Sequence, residues 1–408
     1  MIRRREYLDR LLSWKDEKVI KVVTGVRRSG KSTLFAQFRT LLSESGVDES
    51  RIISVNFEEL ENEELLDYRK LYSYLKEKID PDRMNYIFLD EVQNVDSYEK
   101  VVDSLFVKDY ADIYITGSNS YMLSGDLATM LTGRYVEIKM LPFSFREFSE
   151  AKGGVSDGAF SDYLRGGGMP YVVTADRTAE MSETYLEGIY NTVIVKDIEE
   201  RQSRKEADPT KRKVSDIPLL KSIAKFLAGS IGSIVSVKSI ADYLVSSGRK
   251  VSANTVADYV DALCESFIFY EAERFDVTGK ALLKSGRKYY IVDLGLRNYI
   301  LPKRSYDLGF SIENVVFFEL MRRGFKVNVG KVGSTEVDFV AQKNGELSYF
   351  QVAADITAKE TFEREMRRLG LIQDNYPKTI LTLDRFTPGN YDGIKVVNLV
   401  DWLSVGEE

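Results

Sequence analysis

An α/β protein built on a parallel sheet is what this chain of 408 residues predicts. Three observations carry the expectation. Short β-branched runs alternate with helical spacing over roughly the first 150 residues. One of those runs leads straight into a glycine-rich loop, and a later one ends in two adjacent acids. Strand–helix alternation of this kind gives a parallel sheet covered on both faces, with ligands held beyond the carboxyl ends of its strands.

The elements follow in order. Val19–Thr24 reads as a buried strand. Gly25-Val26-Arg27-Arg28-Ser29-Gly30-Lys31-Ser32 comes next and fits the pattern G-x-x-x-x-G-K-[ST]. From Lys31 to Leu42 the spacing turns helical, with Leu34, Phe38, Leu41 and Leu42 on one face. Strand, loop, helix is the order a phosphate cradle needs, because loop amides and a helix N-terminus then point at the anion. Lys31 is placed to reach the β- and γ-phosphates and the Ser32 hydroxyl to hold Mg²⁺. The expected nucleotide-binding set is Gly25, Arg28, Ser29, Gly30, Lys31, Ser32 and Thr33, for ATP or ADP with Mg²⁺. Arg27 and Arg28 either contact phosphate or a partner, or face solvent.

Arg51–Phe57, Met84–Asp90, Asp112–Gly117 and Arg134–Ile138 read as further strands, and Tyr68–Ile79 and Ser97–Val107 as intervening helices. The run Tyr86–Glu91 is apolar until its two acids. Asp90 is expected to bind Mg²⁺ through its water shell, and Glu91 to polarise the attacking water. Ser118, with Asn119 second, closes the fourth strand where a polar side chain lies beside the γ-phosphate; both also suit a helix N-cap. Arg134, just before the fifth strand, is a candidate arginine finger, in the same subunit or offered to a neighbour, or else a member of a surface ion pair. Thus Glu91, Ser118 and Arg134 form the expected catalytic set, and Ser32 and Asp90 the metal set.

Composition narrows the chemistry. The chain has no histidine, which removes His triads, His metal sites and His general bases together. Phosphoryl transfer needs none of these, since positioning and charge stabilisation suffice. The lone cysteine, Cys264, excludes a disulfide within the chain and reads as a small buried core residue; a reducing cytoplasm is compatible. A net charge of −6 does not favour bulk nucleic-acid binding, so any DNA contact must come from a local basic face. Met1–Arg5 is basic, but Glu6-Tyr7-Leu8-Asp9 follows where a signal peptide turns apolar. No apolar run is long enough to span a membrane.

After Leu141–Phe145 the alternation stops, and residues 144 to about 200 read as mainly helical. Gly166-Gly167-Gly168-Met169-Pro170 interrupts them as a tight helix–helix corner. Arg201–Lys213 reads as an exposed loop or linker. Over 217–300 the pattern suggests a winged helix. Val237–Leu244 is a first helix with Ser239 as cap, Gly248 falls in the turn, Ser252–Val260 opens a second helix, and Phe267–Ala272 and Lys288–Val292 are the wing strands. The second helix carries Asp258 and Asp261 rather than a cationic row. Beyond about 307, a helix at Ile312–Arg323 precedes strands at Lys326–Val329, Glu336–Ala341 and Leu347–Val352, a helix at Ala358–Leu369 and a strand at Lys378–Leu383.

Gly25–Ser32, Leu89-Asp90-Glu91, Thr116-Gly117-Ser118, Leu131–Tyr135, Leu141–Phe148, Gly167–Tyr171, Lys288–Arg297, Ile312–Val315 and Glu336–Phe339 together resemble the AAA-type ATPases of prokaryotes. The likeness is to the subfamily with a winged-helix segment and a C-terminal domain like a restriction endonuclease, and it covers essentially the whole chain. It implies an AAA-like P-loop domain at 1–143, a helical segment and linker at 144–213, a winged-helix-like domain at 214–306 and an endonuclease-like domain at 307–408. It also implies ATP binding; together with the residues above, the main expectation is Mg²⁺-dependent ATP hydrolysis used as a switch or motor, in the cytoplasm, with a homo-oligomer or protein partner. The alternative is a nucleotide-gated DNA-binding or scaffold module, and behind that an ATP-dependent nuclease. By family logic Asp338 and residue 351 would hold a metal, a lysine two positions on would activate water, and Glu313 or Glu319 would add a ligand. Here those places carry Gln351 and Ala353, with Lys359 as a distant substitute. The expectation is a C-terminal binding or assembly module without nuclease activity.

Overall fold

The protein is described from a computed structural model, which covers residues 2–118, 133–175, 178–193, 214–301 and 307–406. Asn119, Leu131-Thr132 and the expected linker Arg201–Lys213 lie outside them. The chain divides into two compact units, Met1–Pro142 with Glu265–Phe267, and Phe143–Cys264 with Ile268–Glu408. Among the described residues, no helix is long and apolar enough to cross a membrane.

The first unit runs α1 (Arg5–Ser13), β1 (Ile20–Thr24), α2 (Lys31–Glu44), β2 (Ile52–Asn56), α3 (Tyr68–Lys78), β3 (Asn85–Asp90), α4 (Tyr98–Phe106), β4 (Ala111–Gly117) and β5 (Tyr135–Lys139). The strands form one parallel sheet in the order β2-β3-β4-β1-β5. Successive side chains on a strand point to opposite faces, so each strand feeds two cores. Ile20, Val22, Ile87, Leu89, Ile113 and Ile115 face one, closed by Leu71 and Leu75 of α3 and Val101, Val102 and Leu105 of α4. Val23, Tyr86, Phe88 and Tyr114 face the other, under Leu8 and Leu11 of α1 and Leu34, Phe38 and Leu42 of α2. Phe88 stacks on Tyr114 at 4.8 Å between centroids, and Phe35 meets Phe88 edge-on at 5.2 Å. The parallel register sets Thr24, Asp90 and Gly117 at one edge of three neighbouring strands.

The second unit opens with α5 (Phe145–Lys152), α6 (Asp157–Gly166), α7 (Pro170–Thr174) and α8 (Ala179–Thr192). It continues with α9 (Ile217–Gly229), α10 (Val237–Ser246), α11 (Ala253–Glu265), β6 (Phe269–Asp276), β7 (Ala281–Ile291) and α12 (Leu294–Ile300). It ends with α13 (Leu308–Arg322), β8 (Lys326–Val332), β9 (Thr335–Lys343), β10 (Glu346–Ala353), α14 (Lys359–Gly370), β11 (Lys378–Thr382), β12 (Gly389–Tyr391), β13 (Ile394–Asn398) and α15 (Leu399–Ser404).

The expected two helices and glycine turn are there, with Gly248 left-handed at φ 90°. The first of them is capped by Ser236 rather than Ser239. Ser236 and Ser239 cap each other reciprocally, so the expected cap residue is the third residue of the helix. The strand pair β6 and β7 is longer than expected, and it does not close on itself. β6 pairs β8 in parallel, so one mixed sheet runs β12-β13-β11-β10-β9-β8-β6-β7 across the expected boundary at 306/307. Cys264 is half-buried rather than a core residue.

The glycine corner has a partner far along the chain. Asp293 caps α12 by accepting from Leu296 N–H (3.1 Å) and also accepts from Gly168 N–H at 2.6 Å. Phe143 N–H donates to Gly168 C=O at 2.7 Å. A Cβ on Gly167 would lie 2.2 Å from Asp293 Oδ1, and one on Gly168 would lie 2.3 Å from Phe143 O. Burial pushes the Asp293 carboxyl up to about 6 against the pull of its amide donors. The motifs Gly167–Tyr171 and Lys288–Arg297 thus interlock through one buried carboxylate. A Cβ at Gly295 would meet Gly166 O at 2.3 Å, so Gly295→Ala is expected to lower stability by about 1–3 kcal/mol, read as a reduced urea midpoint.

Candidate functional site

The phosphate-type loop follows β1 directly. A Cβ on Gly25 would lie 2.1 Å from Met140 O, because Met140 N–H bonds Thr24 C=O and draws the two strand ends together. Arg28 turns the loop in the left-handed region at φ 66° and is exposed. Ser29 is fully buried, and Gly30 N-caps α2 at φ 100° without a side-chain cap. The first α-helical bond is Leu34 N–H to Gly30 C=O. The amides of Lys31, Ser32 and Thr33 in the uncapped first turn therefore have no partner in the helix, the arrangement that favours an anion. Arg27 pairs with Glu58 at 3.5 Å.

Three strand ends then converge. Lys31, buried, donates to Gly25 C=O at 3.1 Å and lies 3.4 Å from Glu91 Oε1. The Ser32 hydroxyl lies close enough to Asp90 to favour its ionised carboxylate. Thr116 donates to Asp90 through its hydroxyl and accepts from the Glu91 N–H at 2.8 Å. Glu91 Oε2 accepts from Gln93 Nε2 at 2.6 Å and from Ser118 Oγ at 3.0 Å. Burial, with Glu91 adding to it, raises the Asp90 carboxyl above its ordinary value. Burial pushes Glu91 up too, but Lys31, Gln93, Arg27 and Ser118 outweigh it and hold Glu91 below the ordinary range.

Sequence reasoning did not anticipate three residues here. Thr116 fixes both acids, yet as the last polar residue of a strand it reads as ordinary. Gln93 follows the acid pair by two places. Arg4 is buried, and it donates to Ser29 C=O at 3.1 Å and Leu141 C=O at 2.8 Å, pinning the loop from beneath. A single arginine near the N-terminus carries no pattern that would reveal this.

Arg134 is not brought to the site. Its C=O accepts from Ile20 N–H, at the amino end of β1, and its guanidinium bonds Asp103 of α4 at 2.5 Å over the Phe106 ring. The phosphate-type loop leaves the other end of β1, about five strand residues away, or roughly 16 Å at 3.3 Å per residue. A role for Arg134 on a phosphate of its own chain is therefore excluded by strand direction.

The set expected by analogy with nucleases is also redistributed. Gln351 Nε2 donates to Asp338 Oδ2 at 2.7 Å and Val352 N–H to the same oxygen at 2.8 Å. Lys288, from β7, is buried between Glu313 (2.9 Å) and Glu336 (2.6 Å), and Tyr290 donates to Glu313 at 2.8 Å. Burial raises Asp338 to about 7, with Glu313 adding to it. Burial lowers the Lys288 ammonium, yet the surrounding carboxylates carry it above its ordinary value. Glu319 pairs with Arg323 at 2.9 Å, and Lys359 is 88% exposed beside Glu363. Lys359 does not replace the missing lysine. No group of three or more Asp, Glu, His or Cys among the described residues could hold a metal ion.

Residues 17–149 match the family model of an AAA domain, and residues 157–307 match a domain of unknown function. A Haemophilus influenzae protein, itself described as uncharacterized, is 41% identical over 99% of this chain and 98% of its own. An uncharacterized Methanocaldococcus jannaschii protein is 30% identical over 89% of this chain and 82% of its own. Among solved structures, the Walker-type ATPase of Pyrococcus abyssi aligns with 74% of this chain and 96% of its own, at 16% identity and a TM-score of 0.45.

Removing Lys288 takes away the ammonium that Glu313 and Glu336 share. Lys288→Met is expected to cost about 3–5 kcal/mol, measured by urea denaturation.

Proposed function

The chain belongs to the family of these Haemophilus influenzae and Methanocaldococcus jannaschii proteins, with an AAA domain near its N-terminus, and we propose that it is a Mg²⁺-dependent ATPase whose turnover works a molecular switch or motor. The observation that carries this reading is the convergence of Lys31 and Ser32 after β1, Asp90 and Glu91 at the end of β3, and Thr116 and Ser118 at the end of β4. Lys31 takes the β- and γ-phosphates, while Gly25, Arg28, Ser29, Gly30 and Thr33 shape the cradle whose amides meet them.

Ser32 and Asp90 would hold Mg²⁺. One hydroxyl and one carboxylate, close together at two neighbouring element ends, suit an ion that keeps several waters and takes its other ligands from phosphate. When bound, the ion neutralises charge on the phosphate oxygens. Asp90, raised by burial, gains from a neighbouring cation. Glu91, held ionised by its donors, accepts a hydrogen bond from the attacking water and turns it toward the γ-phosphate. Ser118, bonded to Glu91, stands where it couples that carboxylate to the phosphate. Arg134, remote from its own loop, serves a phosphate only if it belongs to a neighbouring subunit's site.

For the second unit we infer a binding or assembly role without nuclease chemistry. Gln351 is neutral, it holds Asp338, and the buried Lys288 ammonium is engaged by Glu313 and Glu336. Incubation of plasmid with the protein and Mg²⁺ or Mn²⁺ is expected to leave the DNA intact; cleavage abolished by Asp338→Ala would overturn this.

Two substitutions test the ATPase. Lys31→Ala is expected to abolish nucleotide binding by calorimetry. Glu91→Gln is expected to retain ATP while turnover falls by about 10²–10⁴-fold. Turnover of Glu91→Gln at the unaltered rate would refute the assignment.

A further inference from the structure

We propose that Gln93 is the positioning residue for Glu91, fixing which of its two carboxylate oxygens meets the attacking water. This rests on the ATPase reading above. Residues two apart on a helix do not face each other, so Glu91 and Gln93 need a special backbone to meet. Glu91 supplies it, being left-handed at φ 54° and ψ 47°, where a non-glycine residue is strained. The kink ends β3 and starts the 3₁₀ turn Val92–Asn94, which folds the buried Gln93 side chain back onto Glu91. The strained backbone is held from the other side by the Glu91 N–H bond to Thr116 Oγ1.

The consequence is asymmetric. Gln93 at 2.6 Å and Ser118 at 3.0 Å both donate to Oε2. Oε1 is met by the Lys31 ammonium at 3.4 Å, longer than a hydrogen bond. A phosphate in the loop draws Lys31 toward itself. Oε1 then has a free acceptor direction while Oε2 stays engaged and the carboxylate cannot rotate. Misplacement of a catalytic group by about 1 Å can cost about 10²-fold, so a single amide donor is enough to matter.

Gln93→Met removes the donor while keeping the side chain's length and packing. With the full chain, Mg²⁺ and ATP, kcat is expected to fall about 10- to 100-fold, with ATP affinity from a fluorescent-nucleotide titration within about twofold of the unaltered protein. In a Glu91→Gln background the same substitution is expected to change kcat by less than about twofold, because residues acting through one another are not additive. A structural role would instead weaken ATP binding or multiply the loss in both backgrounds. Gln93→Asn, which withdraws the amide by one methylene, is expected to act as Gln93→Met does and decides the matter if that variant does not fold. Unchanged kcat in the folded variant, or equal losses in both backgrounds, overturns the role of Gln93 alone. No turnover by the unaltered chain overturns the ATPase reading beneath it.

Discussion

The Thr116 hydroxyl joins the two acids on which the site depends. It donates to Asp90 and accepts from the main chain of Glu91, so the end of β4 holds the end of β3 in place. That contact exists only because β3 and β4 are parallel neighbours in a register that sets Leu89 opposite Ile115. The same register, carried on through β4 to β1, sets Thr24 opposite Gly117 and delivers the loop with Lys31 beside the acids. Two apolar cores, one on each face, make that register costly to shift, since a slip of one residue would turn every buried side chain to the wrong face.

Buried charge is handled differently in the two units. In the first, Asp90, Glu91 and Lys31 form a partly opposed set: burial pushes both acids up, Glu91 adds to the rise at Asp90, and Lys31 with the Gln93 and Ser118 donors holds Glu91 down against it. Splitting two adjacent carboxylates in this way is how one site assigns them separate tasks. In the second unit Lys288 sits between Glu313 and Glu336, and Gln351 occupies the acceptor face of Asp338. That cluster satisfies itself. An ammonium stands among the carboxylates, in contact with both Glu313 and Glu336.

Much of the first unit was legible in advance because its signals are local. A β-branched run, a glycine loop with Lys31-Ser32, and an acid pair after Leu89 each declare themselves within a few residues. Gln93 and Arg4 were not legible. Gln93 acts through the left-handed turn at Glu91, which no residue pattern announces, and Arg4 acts on Ser29 and Leu141, far away in sequence. Which of the open roles of Arg134 its own chain allows was not legible for a related reason. Its position before a strand was visible, but which end of β1 it would face depends on strand direction in the assembled sheet.

By itself, then, the amino-acid order determined the strand–helix alternation, the phosphate-type loop and the acids at a strand end, because these follow from periodicity and residue chemistry over short spans. Only the tertiary structure decided that β6 and β7 join the C-terminal sheet, that Asp293 locks onto the Gly167–Gly168 corner, and that Lys288 reaches Glu313. Those outcomes turn on pairings between residues far apart in the chain. Such pairings are selected by how whole layers pack, and no short stretch of residues contains that information.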